Sequence, residues 1–427
     1  MHTANRNKKF RSGWLALISS LVFISLLGCQ NAQQSTWKKG NLHTHSLWSD
    51  GDDYPEMIME WYKDHGYDFI VLSDHNILAE GEKWIAVEQS RGGMGAYQRY
   101  LDRFGGDWVE QEKRHDTLFV RLKTLAEYRP RFEEPGEFLI VQSEEISDRF
   151  QEKPIHLNAT NLRDVIPPQG GNSVREVLQN NIDAVLEQRE ATGRPMIPHV
   201  NHPNFGWALT ASDLAALEGE KLFEVYNGHP SVRNEGDEDH PGTERLWDLI
   251  LTSRLLRGME VMYGVAVDDA HNYHQYDSDH SNPGRGWIMV RSAELTPARL
   301  IASLEAGQFY ASTGVELEQI SVDDAEYQVR VRPETGVDYI IRFIGTRRPP
   351  GESGSDAGMQ PEEMIRQLPE DSTGVVLKEV RGTGARYAFQ GDEIYVRAKI
   401  ISSQEKENPY RAGELEAAWT QPQVVLE

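Results

Sequence analysis

From residue 40 to about residue 313 the chain alternates short apolar runs with longer helical stretches. The short runs cover residues 41–45, 68–73, 138–143, 155–158, 195–199, 222–226, 261–267 and 287–291. Several are apolar at consecutive positions, as expected of strands covered on both faces. Residues 55–65, 173–192, 243–252 and 297–306 read as helices, the last with Thr296 as N-cap and Gly307 as its stop. Such alternation predicts an α/β protein built on a parallel barrel.

Two stretches depart from this pattern. Residues 80–135 are charged, aromatic and helix-prone, with breaks at Gly92-Gly93 and Gly105-Gly106. They read as a helical insertion, either a lid over a site or a packing excursion on the outside. Beyond Gly314, residues 327–332, 339–344, 374–380 and 393–401 are short β-type runs separated by turn-rich spacers. They predict a small antiparallel β domain over 314–427. No internal repeat is present.

The N-terminus carries a different signal. Basic residues at 6–11 precede an apolar run at 14–27, too short to span a bilayer and of the size of a signal-peptide core. The run ends in Leu26-Leu27-Gly28-Cys29, which resembles a bacterial lipobox. Cys29 is the only cysteine of the chain. The expectation is a lipoprotein signal over 1–29, lipid attachment at Cys29 and a polar tether over 30–39. This places the protein at the bacterial cell envelope, with Gln30 favouring the outer membrane. The membrane is then a partner through the lipid only.

One cysteine excludes a disulfide framework and a cysteine-based zinc site. Its place in the lipobox also removes it as a nucleophile. The net charge of −23 over 427 residues argues against nucleic acid as a partner. A small-molecule substrate remains, and an anionic one would need bound cations or a local arginine beside it. Protein partners are left open. The chain has no Walker-type phosphate loop, no Gly-x-Ser-x-Gly elbow and no His-Glu-x-x-His motif.

Histidines and carboxylates collect at the ends of the expected strands. His43 and His45 lie one residue apart, on one face of an extended chain. Asp50 follows in the next loop. Residues 68–73 lead into Asp74-His75, 138–143 into Glu144-Glu145, and His156 lies on the next strand. Residues 195–199 lead into His199 and His202, and 261–267 into Asp268-Asp269-Ala270-His271. In a parallel barrel these ends meet at one mouth. Imidazole and carboxylate together are ligands for Zn, Mn or Fe, and so many of them suit two or three divalent ions rather than one. Of Glu144 and Glu145, which face opposite ways on a strand, only one can bridge. His199 and His202 compete in the same manner. Asp74 and Asp268 read as orienting or turn-capping groups. Asn227, His229 and Arg285 are candidate substrate contacts, Arg285 for an anionic group.

His43-Thr44-His45, Ser49-Asp50-Gly51, Ser73-Asp74-His75, Glu145-Ile146-Ser147, His202-Pro203-Asn204 and Asp269-Ala270-His271 resemble the ordered motifs of the PHP (polymerase and histidinol phosphatase) superfamily. Residues 223–230 and 307–314 resemble its carbaryl-hydrolase-like branch. The resemblance spans roughly 40–313 and implies a distorted seven-stranded (β/α) barrel with a two- or three-metal centre. It implies His43, His45, Asp50, His75, Glu145, His156, His202, Asp269 and His271 as ligands. Glu145 would be the bridge, and His202 is preferred to His199 for its His-Pro-Asn context. One ion would take His43, His45, Glu145 and Asp269, with Glu145 and Asp269 as the catalytic carboxylates. A second would take Glu145, His156 and His202, and a third Asp50, His75 and His271. The expected activity is phosphoester hydrolysis by metal-bound hydroxide. Carboxylic or carbamic ester or amide hydrolysis is the alternative. A non-catalytic, surface-anchored binding lipoprotein is the second alternative.

Overall fold

The computed structural model describes residues 35–348 and 358–425. Cys29, the expected signal peptide and residues 30–34 of the expected tether lie outside the described residues. In chain order the elements are β1 (Thr36–Asn41), α1 (Pro55–Asp64), β2 (Phe69–Leu72), β3 (Lys83–Ala86), α2 (Gly93–Phe104), β4 (Gln111–Arg114), β5 (Thr117–Leu122), α3 (Leu125–Phe132), β6 (Leu139–Phe150), β7 (Lys153–Thr160) and α4 (Val174–Thr192). There follow β8 (Ile197–Val200), α5 (Ala211–Ala215), β9 (Leu222–Asn227), α6 (Thr243–Leu256), β10 (Tyr263–Val267), β11 (Trp287–Ser292), α7 (Pro297–Glu305) and β12 (Phe309–Ser312). The C-terminal part holds β13 (Leu317–Val322), β14 (Glu326–Val331), β15 (Tyr339–Arg347), α8 (Pro361–Gln367), β16 (Val375–Arg381), β17 (Gly384–Ala388), β18 (Glu393–Glu405), β19 (Leu415–Thr420) and β20 (Gln423–Val424). Among the described residues no helix is long and apolar enough to cross a membrane.

The protein is a mixed α/β structure with one large sheet and two small antiparallel ones. The large sheet runs β10-β9-β8-β7-β6-β2-β1-β11-β12-β19-β18-β15-β16. The expectation of a wholly parallel sheet is corrected here. Among the described strands, only β1-β2-β6 and β8-β9-β10 pair in parallel. β6 and β7 form a hairpin with Gln151 at a left-handed φ of 56°. Its two-residue turn leaves no room for a crossover helix, so the pair must be antiparallel. β6 also runs on to Phe150, well past residue 143.

β2 shows why the run is apolar throughout. Phe69 and Val71 pack in a cluster with Val141, Leu222, Val265, Val267 and Ile288. Ile70 and Leu72 point the other way, into a cluster with Ile58, Met59 and Tyr62 of α1. Each such side chain contributes about 1.5–3 kcal/mol over exposure. Gly40 is required beside it, since a Cβ there would meet the Phe69 ring at 2.1 Å. The sheet curls, and Thr44 beyond β1 bridges in parallel to Ala270 beyond β10. Strand ends far apart in sequence are thereby brought together.

Three boundaries differ from expectation. The tether does not reach residue 39: β1 starts at Thr36 and pairs with β11 from Thr36↔Ser292 to Gly40↔Ile288. The insertion at 80–135 is not simply helical. It contains the three-stranded antiparallel sheet β3-β5-β4 beside α2 and α3. The β-rich Thr117–Leu122 run, with Leu118, Val120 and Leu122 alternating, accounts for the central strand. The residues after 314 are not set apart, since β19 pairs with β12 and carries the large sheet into β18 and β15. Gln421 closes the join, its amide accepting from Gly264 N at 3.0 Å and donating to Gly264 O at 2.9 Å. Arg397 donates twice to Asp248 of α6, both at 2.8 Å and buried. Among the described residues after 314, β13-β14-β17 alone forms a separate small sheet.

Candidate metal centre

The loops beyond β1, β2, β8 and β10 and the middle of β6 and β7 supply one buried cluster. His43 and His45 follow β1 and are fully buried. His75 follows β2 and bridges in parallel to Glu145 of β6, directly across from it. His156 lies on β7, opposite Ser147. His202 follows β8. Asp269 follows β10 with φ 51°, a left-handed conformation that a non-glycine residue adopts at a cost. That backbone turn sends its carboxylate toward His43 and His45.

At the centre four ligand atoms converge. His43 Nε2 lies 3.4 Å from Glu145 Oε2 and 3.2 Å from Asp269 Oδ1. His45 Nε2 lies 3.3 Å from Glu145 Oε2 and 3.2 Å from Asp269 Oδ1. All four atoms are buried and make no well-aligned hydrogen bond, and Glu145 Oε2 also lies 2.9 Å from His75 Nδ1. Leaving one such atom unpaired costs about 1–3 kcal/mol, so four together call for a common partner. Neighbouring ligands held at about 2.0–2.2 Å from one ion lie about 2.8–3.6 Å apart. The observed separations fit a metal ion.

Two flanking groups share these residues. Glu145 Oε1 lies 2.9 Å from His156 Nδ1 and 3.3 Å from His202 Nε2. Asp50 Oδ1 lies 3.4 Å from His75 Nε2 and 3.3 Å from His271 Nε2. His45 Nδ1, also unpaired, is 3.7 Å from the same oxygen. His45, Asp50, His75 and His271 therefore form a second set able to hold an ion.

The electrostatics agree with this assignment. Burial alone would raise the pKa of Glu145, but His75, His156 and His43 hold it well below the carboxylate range. For Asp269 burial is likewise outweighed by His43 and His45. Burial, helped by His271 and His75, pushes His45 down to about 3, so its ring is neutral with one nitrogen free to coordinate. Burial works against a proton on His75, yet Glu145 and Asp50 raise it to about 9.

One carboxylate of the centre escaped sequence reasoning. Glu224 of β9, fully buried, receives His43 Nδ1 at 2.7 Å and His199 Nε2 at 3.3 Å on Oε1. Its Oε2 accepts from His202 N and Asn227 Nδ2, both at 2.7 Å. A proton fixed on His43 Nδ1 leaves Nε2 free to coordinate. Burial raises Glu224, and His43 and His199 outweigh it to leave the pKa at about 2. His199 thus turns to Glu224 and His202 to Glu145. Glu144 faces away, its Oε1 accepting from Ile166 N at 2.6 Å. Asp74 accepts from Ser46 and Ser49 and caps the turn before Asp50. Asp268 accepts from Tyr62 Oη and Gly284 N.

The expected substrate contacts divide. Arg285 is not one: it is 1% exposed and donates to the carbonyls of Asn408, Gly228, His280 and Asp277 and to the Asn282 and Asn408 amides. Its donors are spent on tying loops together. Asn227 is fully buried and donates to Glu224 and Asp269, so it orients those carboxylates rather than meeting a substrate. His229 stands beside His271, ring centroids 5.6 Å apart, and accepts from Ser231 N through Nδ1. That leaves its ring proton on Nε2. Arg91, which the sequence did not single out, reaches Asp50 from the insertion, its Nη2 3.5 Å from Oδ2.

No family model matches the chain, and no curated protein matches it. Several solved structures are similar at a distance. One is a two-domain protein from Bacteroides vulgatus containing a predicted PHP-like metal-dependent phosphoesterase, at 14% identity and TM-score 0.40, covering 91% of this chain and 96% of the other. Another is a predicted metal-dependent phosphoesterase from Bifidobacterium adolescentis, at 12% identity and TM-score 0.26, covering 56% and 89%. Likenesses this remote carry no inference about activity.

Proposed function

We propose that the protein is a metal-dependent hydrolase of the PHP type, acting on phosphoesters at the cell envelope. The observation that carries this reading is the set of four buried, unpartnered atoms on His43, His45, Glu145 and Asp269 at ligand spacing. Asp50, Glu145, Glu224 and Asp269 also concentrate four carboxylates at one point. Once the imidazoles are deprotonated to act as ligands, two divalent ions of the Mn, Fe or Zn class would balance that charge. Divalent ions held there would polarise the scissile phosphoryl group and supply water of lowered pKa. Glu145 turns one oxygen to His43 and His45 and the other to His156 and His202, so it joins two halves of the centre. Glu224 keeps His43 in the ligating tautomer. His229, with its proton on Nε2, can donate to a substrate oxygen. The envelope location rests on the lipobox at Cys29, and the barrel form on the curl that brings Thr44 to Ala270.

The test is metal content together with a panel of chromogenic phosphomonoesters, phosphodiesters and carboxylic esters, assayed with Mn²⁺ or Zn²⁺ and with chelator. Chelator-sensitive phosphoester hydrolysis is expected. Hydrolysis of carboxylic esters alone would overturn the phosphoesterase reading. Less than one equivalent of bound metal under replete conditions would overturn the centre itself.

A further inference from the structure

The ligand carboxylates are surrounded by histidines and by neutral amide and main-chain donors. Among the described residues, Arg91 is the only lysine or arginine in ion-pair contact with any of Asp50, Glu145, Glu224 or Asp269. It comes from the insertion, outside the strand framework that supplies the ligands. Its side chain is 58% exposed, and it donates no hydrogen bond among the described residues. Arg285, by contrast, has its donors engaged. At 3.5 Å the contact with Asp50 Oδ2 is a loose charge pairing that leaves the guanidinium face open. Asp50 meanwhile turns Oδ1 toward His75 and His271. One carboxylate thus separates the metal side of the centre from an unsaturated cation.

Arg91 is held there by the fold. Gly92 packs so closely on the Asp50 loop that a Cβ would sit 2.2 Å from Asp52 O. Ser90 Oγ donates to Val87 O at 2.8 Å and accepts from Gly93 N at 3.2 Å, fixing the turn on either side. Farther along, Tyr100 and Trp108 both donate to buried Glu56 of α1, at 2.6 and 2.8 Å, and Tyr100 stacks on Tyr54 at 4.0 Å. The insertion is therefore packed against the body of the protein, with Arg91 presented at the rim of the centre.

We propose that Arg91 is a substrate-positioning residue that takes the non-bridging oxygens of a phosphoryl group whose remaining oxygens face the metal side. A planar guanidinium with free parallel donors suits a phosphoryl group, which offers several oxygens in different directions. It compensates charge in a chain that is otherwise strongly acidic. The inference rests on the phosphoesterase reading above and assigns the anion contact to the insertion.

The test uses inorganic phosphate as the probe. Its binding is titrated calorimetrically into metal-loaded wild type, Arg91→Ala, Arg91→Lys and Arg99→Ala, an exposed arginine of α2. Metal content is measured on each. The expected result is phosphate affinity about tenfold to a hundredfold weaker in Arg91→Ala, partly recovered in Arg91→Lys and unchanged in Arg99→Ala, with equal metal content throughout. Equal phosphate affinity in wild type and Arg91→Ala would overturn the role of Arg91 and leave the phosphoesterase reading standing. Wild-type phosphate binding that depends on Arg91, without hydrolysis of any phosphoester, would uphold the anion site and overturn that reading. No phosphate binding by the metal-loaded wild type would overturn the inference.

Discussion

Replacing Glu224 by Gln changes one atom and should disable the metal centre without unfolding the protein. Both carboxylate oxygens accept from donors: Oε1 from His43 and His199, Oε2 from His202 N and Asn227 Nδ2. A glutamine must point its NH₂ at one of these pairs. Against His202 N and Asn227 it would set donor against donor, and the main-chain N–H cannot reverse. Against His43 it would force Nδ1 to accept, moving the ring proton to Nε2, where the metal must bind. Either outcome leaves a buried donor unpaired or a ligand in the wrong tautomer, at about 1–3 kcal/mol. Loss of an orienting group of this kind weakens metal affinity about tenfold to a hundredfold. Competition titration against a chelator of known affinity measures it. Far-ultraviolet circular dichroism should be unchanged, and activity should return at high metal concentration. A metal affinity within twofold of wild type would refute the role given to Glu224.

Glu144 and Glu145 should separate cleanly: Glu145→Gln loses metal and activity, while Glu144→Gln keeps both. Burial raises Glu144 to about 7. Its ionised form therefore costs stability as pH rises from about 4.5 through 7, and the neutral Gln variant should be the more resistant to denaturant at pH 8. Equal metal loss in both variants would sink the distinction. Arg285→Lys should lower stability by about 2–4 kcal/mol in chemical denaturation by freeing buried carbonyls, with KM unchanged. A raised KM at wild-type stability would restore a substrate role to Arg285. Metal uptake should release protons, because His75 keeps a proton up to about pH 9 in the metal-free protein. Apparent affinity should rise with pH until about 9, and calorimetric heats at pH 7.5 should differ between Tris and Hepes. Identical heats in the two buffers would contradict this.

The converging histidines and acids were legible because ligands at the ends of apolar runs announce themselves twice, by residue type and by place. The mixed sheet was not, because β6 and β7 read as two separate runs and nothing in residues 144–154 marks one long hairpin. Glu224 was hidden for a related reason. It stands inside Leu222–Asn227, a run buried along its whole length, where a lone acid reads as part of the strand. What marks it is a charge at a central, fully buried strand position, which requires partners whatever they are. Arg285 was misread by the opposite error. An arginine near strand ends suggests an anion site, but only its hydrogen bonds reveal that its donors are engaged.

Glu224 also explains why the centre behaves as one unit. It holds His43 by the ring, His202 by its main chain and, through Asn227, Asp269 at 3.1 Å. Asn201 does the same on the other side, donating to Glu145 Oε1 at 2.8 Å and to Asn158 at 3.0 Å. Ligands drawn from β1, β6, β8 and β10 are thus cross-linked by β9 and by the loop after β8 as well as by any ion. A strand slipping by one residue would turn Glu224 to the opposite face and release three ligands together. The geometry of the centre is therefore set by sheet register. This accounts for the burial of so many titratable groups at that point: rigid placement of unpaired ligand atoms stores a cost in the metal-free protein that coordination relieves.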